Sequence, residues 1–219
     1  ILAWYVTNNS KGALKVYIGS NGTIYANPDS SYLFAWIAAT ETITNIGLLN
    51  TTIVTNMSNM FRVTGWYVMT ELDLGDNFDT SNVTDMTAMF RGTGFSSMKT
   101  LKLGSKFNTT KVTNMSDMFD CTGRDSMQVL DLGDKFDTSN VTNMNLMFKS
   151  TGEVSMTTLN LGSKFSTAKV TNMANMFEDC GKTSLISLHL GPNFTRIASD
   201  YTNMFANCGK QGFLVVYVP

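Results

Sequence analysis

From Met69 onward the apolar residues recur in a fixed order. Short alternations, Leu72-Asp73-Leu74, Leu101-Lys102-Leu103, Leu130-Asp131-Leu132, Leu159-Asn160-Leu161 and Leu188-His189-Leu190, have the period of two that marks a half-buried strand. A glycine follows each, then an isolated phenylalanine three residues on, as in Gly75 and Phe78. After a polar stretch come Val83, Met86, Met89 and Phe90, spaced i, i+3, i+6 and i+7, which predicts two turns of amphipathic helix. Thr80-Ser81-Asn82 offers N-cap oxygens for it, and Gly94 suits a left-handed C-cap. Strand, turn, short helix and loop then restart.

The period is 29 residues, with starts at Met69, Met98, Met127, Met156 and Leu185 and a degenerate copy from Thr40. Counting the start as position 1, Val-Thr stands at positions 15–16 and Met at 18. Met-Phe follows at 21–22, and glycine at 7 and 26. Agreement at so many positions in consecutive copies predicts a solenoid, whose rungs bury their apolar faces only against one another. The fold class expected is α/β: a leucine-rich-repeat-like solenoid of about six rungs with an N-terminal β-hairpin cap. The hairpin signal is Gly19-Ser20-Asn21-Gly22 between Lys15–Ile18 and Thr23–Ala26, followed by a short helix at Ser31–Trp36. The expected division is therefore a cap over 1–39, the array over 40–213 and a closing strand over 214–219.

Composition changes this picture little. Lys+Arg 16 against Asp+Glu 17 gives a net charge of -1, without the basic excess that nucleic acid or an anionic membrane would attract. No apolar run is long enough to span a bilayer, so no membrane insertion by this segment is expected. No signal peptide is visible, and the chain begins and ends in mid-pattern, as a segment of a longer polypeptide would. The surplus of 15 Met and 14 Phe is accounted for by the repeat. Thioether columns could bind a soft metal, but their spacing favours core packing.

The units LDLGDNFDTSNVTDMTAMF (72–90) and LDLGDKFDTSNVTNMNLMF (130–148) resemble the BspA-type leucine-rich repeats of bacterial surface proteins. The resemblance covers about 40–213 and departs at the array ends, where "VTNM" becomes "IASDYTNM" before Met204. It implies an extracellular, cell-surface adhesin, secreted or anchored through segments outside this chain. Such a module would bind a host protein or glycan as a monomer, without catalysis or cofactor. The alternative is a rigid spacer, roughly 30 Å long at strand spacing, presenting other domains.

Candidate sites are few. Position 5 runs Asp73, Lys102, Asp131, Asn160, His189; position 8 runs Asp76, Ser105, Asp134, Ser163; position 14 runs Asn82, Lys111, Asn140, Lys169. Charges alternate as if a two-rung unit had been duplicated, and an inter-rung ladder Asp73–Lys102–Asp131 is expected rather than a cation site. His189, the single imidazole, sits outward with no nucleophile at a recognisable spacing. Gly181-Lys182-Thr183 mimics the end of a P-loop, but Met176 replaces its first glycine. Cys180 and Cys208 fall on neighbouring rungs, either close enough for a disulfide or, with Cys121, as buried thiols. Positions 23 and 27 flank the position-26 glycine on one loop edge. There Trp66, Tyr67 and Phe95 with Arg62 and Arg91 form the expected binding patch; the alternative is that Trp66 and Tyr67 pack on the N-terminal cap.

Overall fold

The computed structural model describes residues 2–8 (backbone), 13–133, 135–195 and 198–218. Asp134 of position 8, Ile1 and Pro219 lie outside the described residues. The chain is a parallel β-solenoid. Its strand wall comprises β6 (Glu71–Asp73), β7 (Thr100–Lys102), β8 (Val129–Asp131), β9 (Thr158–Asn160), β10 (Ser187–His189) and β11 (Val215–Tyr217). These pair in parallel and in register, as β6-β7 and as β8-β9-β10-β11. The central leucines Leu72, Leu101, Leu130, Leu159 and Leu188 point inward and are buried.

The short helices are absent. Among the described residues the helical content is one 3-10 turn, Ile46–Leu48, so the fold is a solenoid but not α/β. Along 86–93 the N–H of Met89, Arg91 and Thr93 each bonds the carbonyl three residues back, at 3.2, 3.1 and 2.9 Å. The intervening N–H groups of Met86, Ala88, Phe90 and Gly92 instead donate to the next rung, at Asn114, Ser116, Met118 and Asp120. Ala88 and Gly92 adopt φ of 53° and 65°, which folds the chain into linked turns of the type that require a left-handed residue. The physical reason is spacing. Helices need about 8–10 Å between axes, whereas parallel strands repeat at about 4.8 Å. A helix on every rung would force the stack to fan open. Linked turns keep Val83, Met86, Met89 and Phe90 facing inward while handing half of the backbone donors to the neighbouring rung.

That uniform spacing is visible in the core. Phe34, Phe61, Phe90, Phe119, Phe148, Phe177 and Phe205 form one column of parallel rings, with centroids 5.1 to 5.6 Å apart. Phe107, Phe136, Phe165 and Phe194 form a second at 6.4 Å. All the methionines are buried, as packing requires. Buried threonines clamp successive rungs: Thr64, Thr93, Thr122 and Thr151 donate to the carbonyls of Phe34, Phe61, Phe90 and Phe119 at 2.6 to 2.8 Å. Thr80 donates to Asn108 O at 2.7 Å instead of capping a helix. Asn56, Asp85, Asn114, Asn143, Asn172 and Asp200 form Asx turns by accepting the N–H two residues on. The position-26 glycines have the expected left-handed φ, for example 55° at Gly94. A Cβ there would stand 2.2 Å from the Met98 Cβ.

The N-terminal hairpin is displaced from its expected place. It is formed by β1 (Leu2–Asn8) with β2 (Ala13–Gly19), antiparallel. β2 also pairs in parallel with β4 (Thr40–Thr44), and β3 (Ile24–Tyr25) pairs with β5 (Leu49–Asn50). The Gly19–Gly22 segment therefore turns a rung corner and does not join two paired strands. The Ser31–Trp36 segment is likewise no helix. Tyr32 and Trp36 have φ of 59° and 67°, the turn path of the later rungs. Phe34 starts the ring column and Asp29 bridges to Asn56, so a seventh rung lies within the expected cap.

Candidate functional site

The polar columns are structural over most of their length. Lys102 Nζ approaches Glu71 Oε1 at 3.1 Å and Asp73 Oδ2 at 3.6 Å on the preceding rung. Glu71, the nearer partner, raises the lysine pKa most. The ladder therefore closes backward through Glu71 as well as Asp73, without Asp131 among its ion pairs. Asp73 and Asp131 each accept the N–H of the following turn glycine, at 2.8 and 3.0 Å. Asp76 Oδ1 accepts the Ser105 N–H at 3.0 Å, which holds its carboxyl below the usual carboxylate range. Position 14 alternates with a mechanism: Lys111 and Lys169 donate to Asn82 and Asn140, both at 2.7 Å. Each asparagine in turn donates to Thr52 O or Thr110 O.

His189 lies parallel to Tyr217 at 4.1 Å, with Ser187 Oγ 2.8 Å from its Nε2. The spacing of two on one strand makes that pair, a contact that a search for distant nucleophiles misses. The three cysteines are free thiols. A hydrogen bond with Cys208, together with complete burial, raises the Cys180 thiol well above its ordinary value. These two cysteines are thus neighbours, carrying hydrogen and not a disulfide. Burial, aided by Asp120, pushes the Cys121 thiol up to about 12. Among the described residues no group of three or more His, Cys, Asp or Glu side chains could hold a metal ion. No helix there is long and apolar enough to cross a membrane.

The loop edge departs from this regularity. A shallow groove of about 360 Å³ is lined by Trp36, Ala38, Arg62, Val63, Trp66, Tyr67, Arg91, Gly92, Asp120 and Cys121. Four of the expected patch residues meet in it: Arg62, Trp66, Tyr67 and Arg91. Phe95 stands behind, its ring 4.0 Å from Trp66 and nearly parallel, with the Arg124 guanidinium 5.2 Å from its own centroid. Position 27 thus forms a chain of contacts, Trp66 on Phe95, Phe95 on Arg124, and Arg124 Nε on Glu153 at 2.8 Å. Trp66 is half-buried within that stack, while Tyr67 stands exposed and its N–H bonds Ala38 O at 3.2 Å. Tyr67 is thus tied to the first rung through its backbone, while the Trp66 ring packs on Phe95 of the following rung.

Two residues outside the expected patch shape the groove most. Trp36 is exposed, with the Arg62 guanidinium 5.1 Å from its ring. It is hidden in the sequence because the first rung lacks the repeat's signature residues. Gly92 lets Trp66 lie across the rung, since a Cβ there would come within 2.7 Å of its ring. Its signal is a glycine at position 24, where other rungs carry Val63, Cys121, Ser150 and Asp179. Arg91 is engaged by Asp120 at 3.0 Å and Asp117 at 3.2 Å. Burial raises both of these carboxyls above the usual range, against the pull of Arg91. Two larger depressions of about 550 Å³, at the Ser20–Ile24 corner and beside β7 and β8, are lined without any aromatic side chain.

Two overlapping segments, 29–124 and 93–212, match the family described as "Mycoplasma protein of unknown function, DUF285". The chain belongs to that family. The first matched segment begins at Asp29, in the rung that carries Trp36, so the family's repeat takes in the rung that the 29-residue alignment leaves out. Neither a curated protein nor a solved structure matches the chain.

Proposed function

We propose that the chain is a non-catalytic recognition module of a bacterial cell-surface protein, holding a host protein or glycan at the groove edge. The observation that carries this is the exposure of Trp36 and Tyr67, 59% and 62%, beside Arg62 on a single edge. Further along that edge Arg124–Glu153, Lys149–Glu178 and Lys182–Asp179 close onto each other at 2.7 to 2.9 Å. Aromatic rings with few rotatable bonds make favourable contact surfaces, and solenoids offer their edges for binding. The repeats' likeness to BspA-type surface proteins supports the same reading and an extracellular location.

The test is a screen of the purified chain against extracellular-matrix proteins and a glycan array, repeated with Trp36→Ala and Tyr67→Ala. Loss of captured ligands in both variants, with thermal stability kept, is the expected outcome. Binding that survives both substitutions removes the groove from the proposal. A second reading, a rigid spacer, is favoured by the unbroken inter-rung ladders of Thr84, Thr113, Thr142 and Thr171. It predicts that no ligand responds to either substitution.

A further inference from the structure

We infer that the groove takes a carbohydrate bearing a single carboxylate, an inference that rests on the recognition role proposed above. Arg62 decides the charge. Its Nη1 donates to Asn59 Oδ1 at 3.2 Å, and its guanidinium lies over Trp36. Its Nε is buried without a hydrogen-bond partner, and no carboxylate stands within ion-pairing distance among the described residues. Arg91 and Arg124, on the same edge, are both held by carboxylates. A guanidinium without an ion-paired carboxylate keeps its terminal N–H groups available to an acceptor arriving from solvent. A carboxylate supplies that acceptor through a charge-assisted bond to the terminal N–H groups of Arg62, since the buried Nε itself is closed to the groove.

Neighbouring charges limit how much anion the groove accepts. Asp120 lines it, and Asp117 pairs with Arg91 and lies near enough to Arg62 to feel its charge, so a phosphate dianion or a polyanion would face two carboxylates for one cation without an ion pair of its own. The aromatic residues decide the rest. Trp36 and Tyr67 are exposed flat surfaces held on neighbouring rungs: the Trp36 N–H bonds Arg62 O at 2.8 Å, and the Tyr67 N–H bonds Ala38 O. Rigid rings beside one polar anchor suit the C–H face of a sugar ring carrying one acid group. The groove's volume is in the range of small-ligand sites.

The probes are a disaccharide of glucuronic acid and N-acetylglucosamine, a sialyl trisaccharide, and each compound with its carboxyl reduced to an alcohol. Titration calorimetry with wild type, Arg62→Gln and Trp36→Ala is expected to show binding of at least one acidic probe. Carboxyl reduction or Arg62→Gln should weaken it at least tenfold and Trp36→Ala abolish it, with melting temperatures unchanged. Equal affinity for native and reduced sugar, lost in Trp36→Ala, overturns the carboxylate and leaves the recognition role standing. Absence of saccharide binding alongside Trp36-dependent capture of a matrix protein overturns the carbohydrate and leaves that role standing too. Absence of any Trp36-dependent ligand overturns both.

Discussion

Individual side chains here differ most in how burial sets their charge. Asp120, its side chain 6% exposed, is raised chiefly by burial. A carboxyl raised in the folded state binds protons more readily folded than unfolded. Its contribution to stability is complete at low pH and is lost as pH rises through the folded value. Asp120→Asn should therefore gain on wild type as pH rises from the acid range to neutral. Asp179 has the opposite sign: burial acts to raise it, but hydrogen bonds from Lys182 and Asn207 outweigh burial and hold it low. Asp179→Asn should lose ground over the same interval. Paired thermal melts across that range test both signs, and parallel curves for the two variants would contradict them. The thiols give a second check. Cys121 and Cys180 should resist iodoacetamide in the native protein at mildly alkaline pH and react fully once unfolded, as read by mass spectrometry.

At the scale of one rung, the repeat and its inward columns are legible in the sequence, and the backbone path is not. Val83, Met86, Met89 and Phe90 fit a helical stripe, yet linked three-residue turns point the same four inward. The discriminating signal lies between the apolar positions. Position 20 carries Asn59, Asp117 and Asn175, which tolerate left-handed backbone and are poor in a helix interior, but also Ala88 and Leu146, and position 24 carries Gly92, Ser150 and Asp179 but also Val63 and Cys121, so the signal is partial. The groove is legible where it lies inside the repeat, at Arg62, Trp66, Tyr67 and Arg91. It is not legible at Trp36, because the first rung shares the backbone path without the Met columns. Each rung is closed by its buried threonine. Thr122→Val leaves the Phe90 carbonyl with one bond fewer and should cost about 1–2 kcal/mol in urea unfolding, with Thr122→Ser costing less. Far-UV circular dichroism should lack the double minimum of α-helix. A strong helical signal would contradict the linked turns.

Across the whole molecule, stability is a sum over neighbouring rungs, so the cost of a core truncation depends on where it falls. Phe119 lies between Phe90 at 5.6 Å and Phe148 at 5.4 Å, fully buried. Phe119→Ala should cost about 3–5 kcal/mol. Among the described residues Phe205 has a single ring neighbour, Phe177, and it is 39% exposed, so Phe205→Ala should cost less than half as much. Denaturant midpoints measure the ratio, and equal costs would mean that the rungs do not add as nearest neighbours.

The alternation of Asn82, Lys111, Asn140 and Lys169 has a consequence for how such a chain can grow. The inward columns are the same on nearly every rung, so a copy added by gene duplication would find the core ready to receive it. Position 14 discriminates between copies through side-chain donor and acceptor pairs. Adding a single rung sets lysine against lysine or asparagine against asparagine, while adding a pair restores each donor to its acceptor. The column thus acts as a parity check, favouring lengthening by even numbers of rungs and resisting a slip by one during folding. Chains lengthened by two rungs should accordingly melt higher and express more solubly than chains lengthened by one.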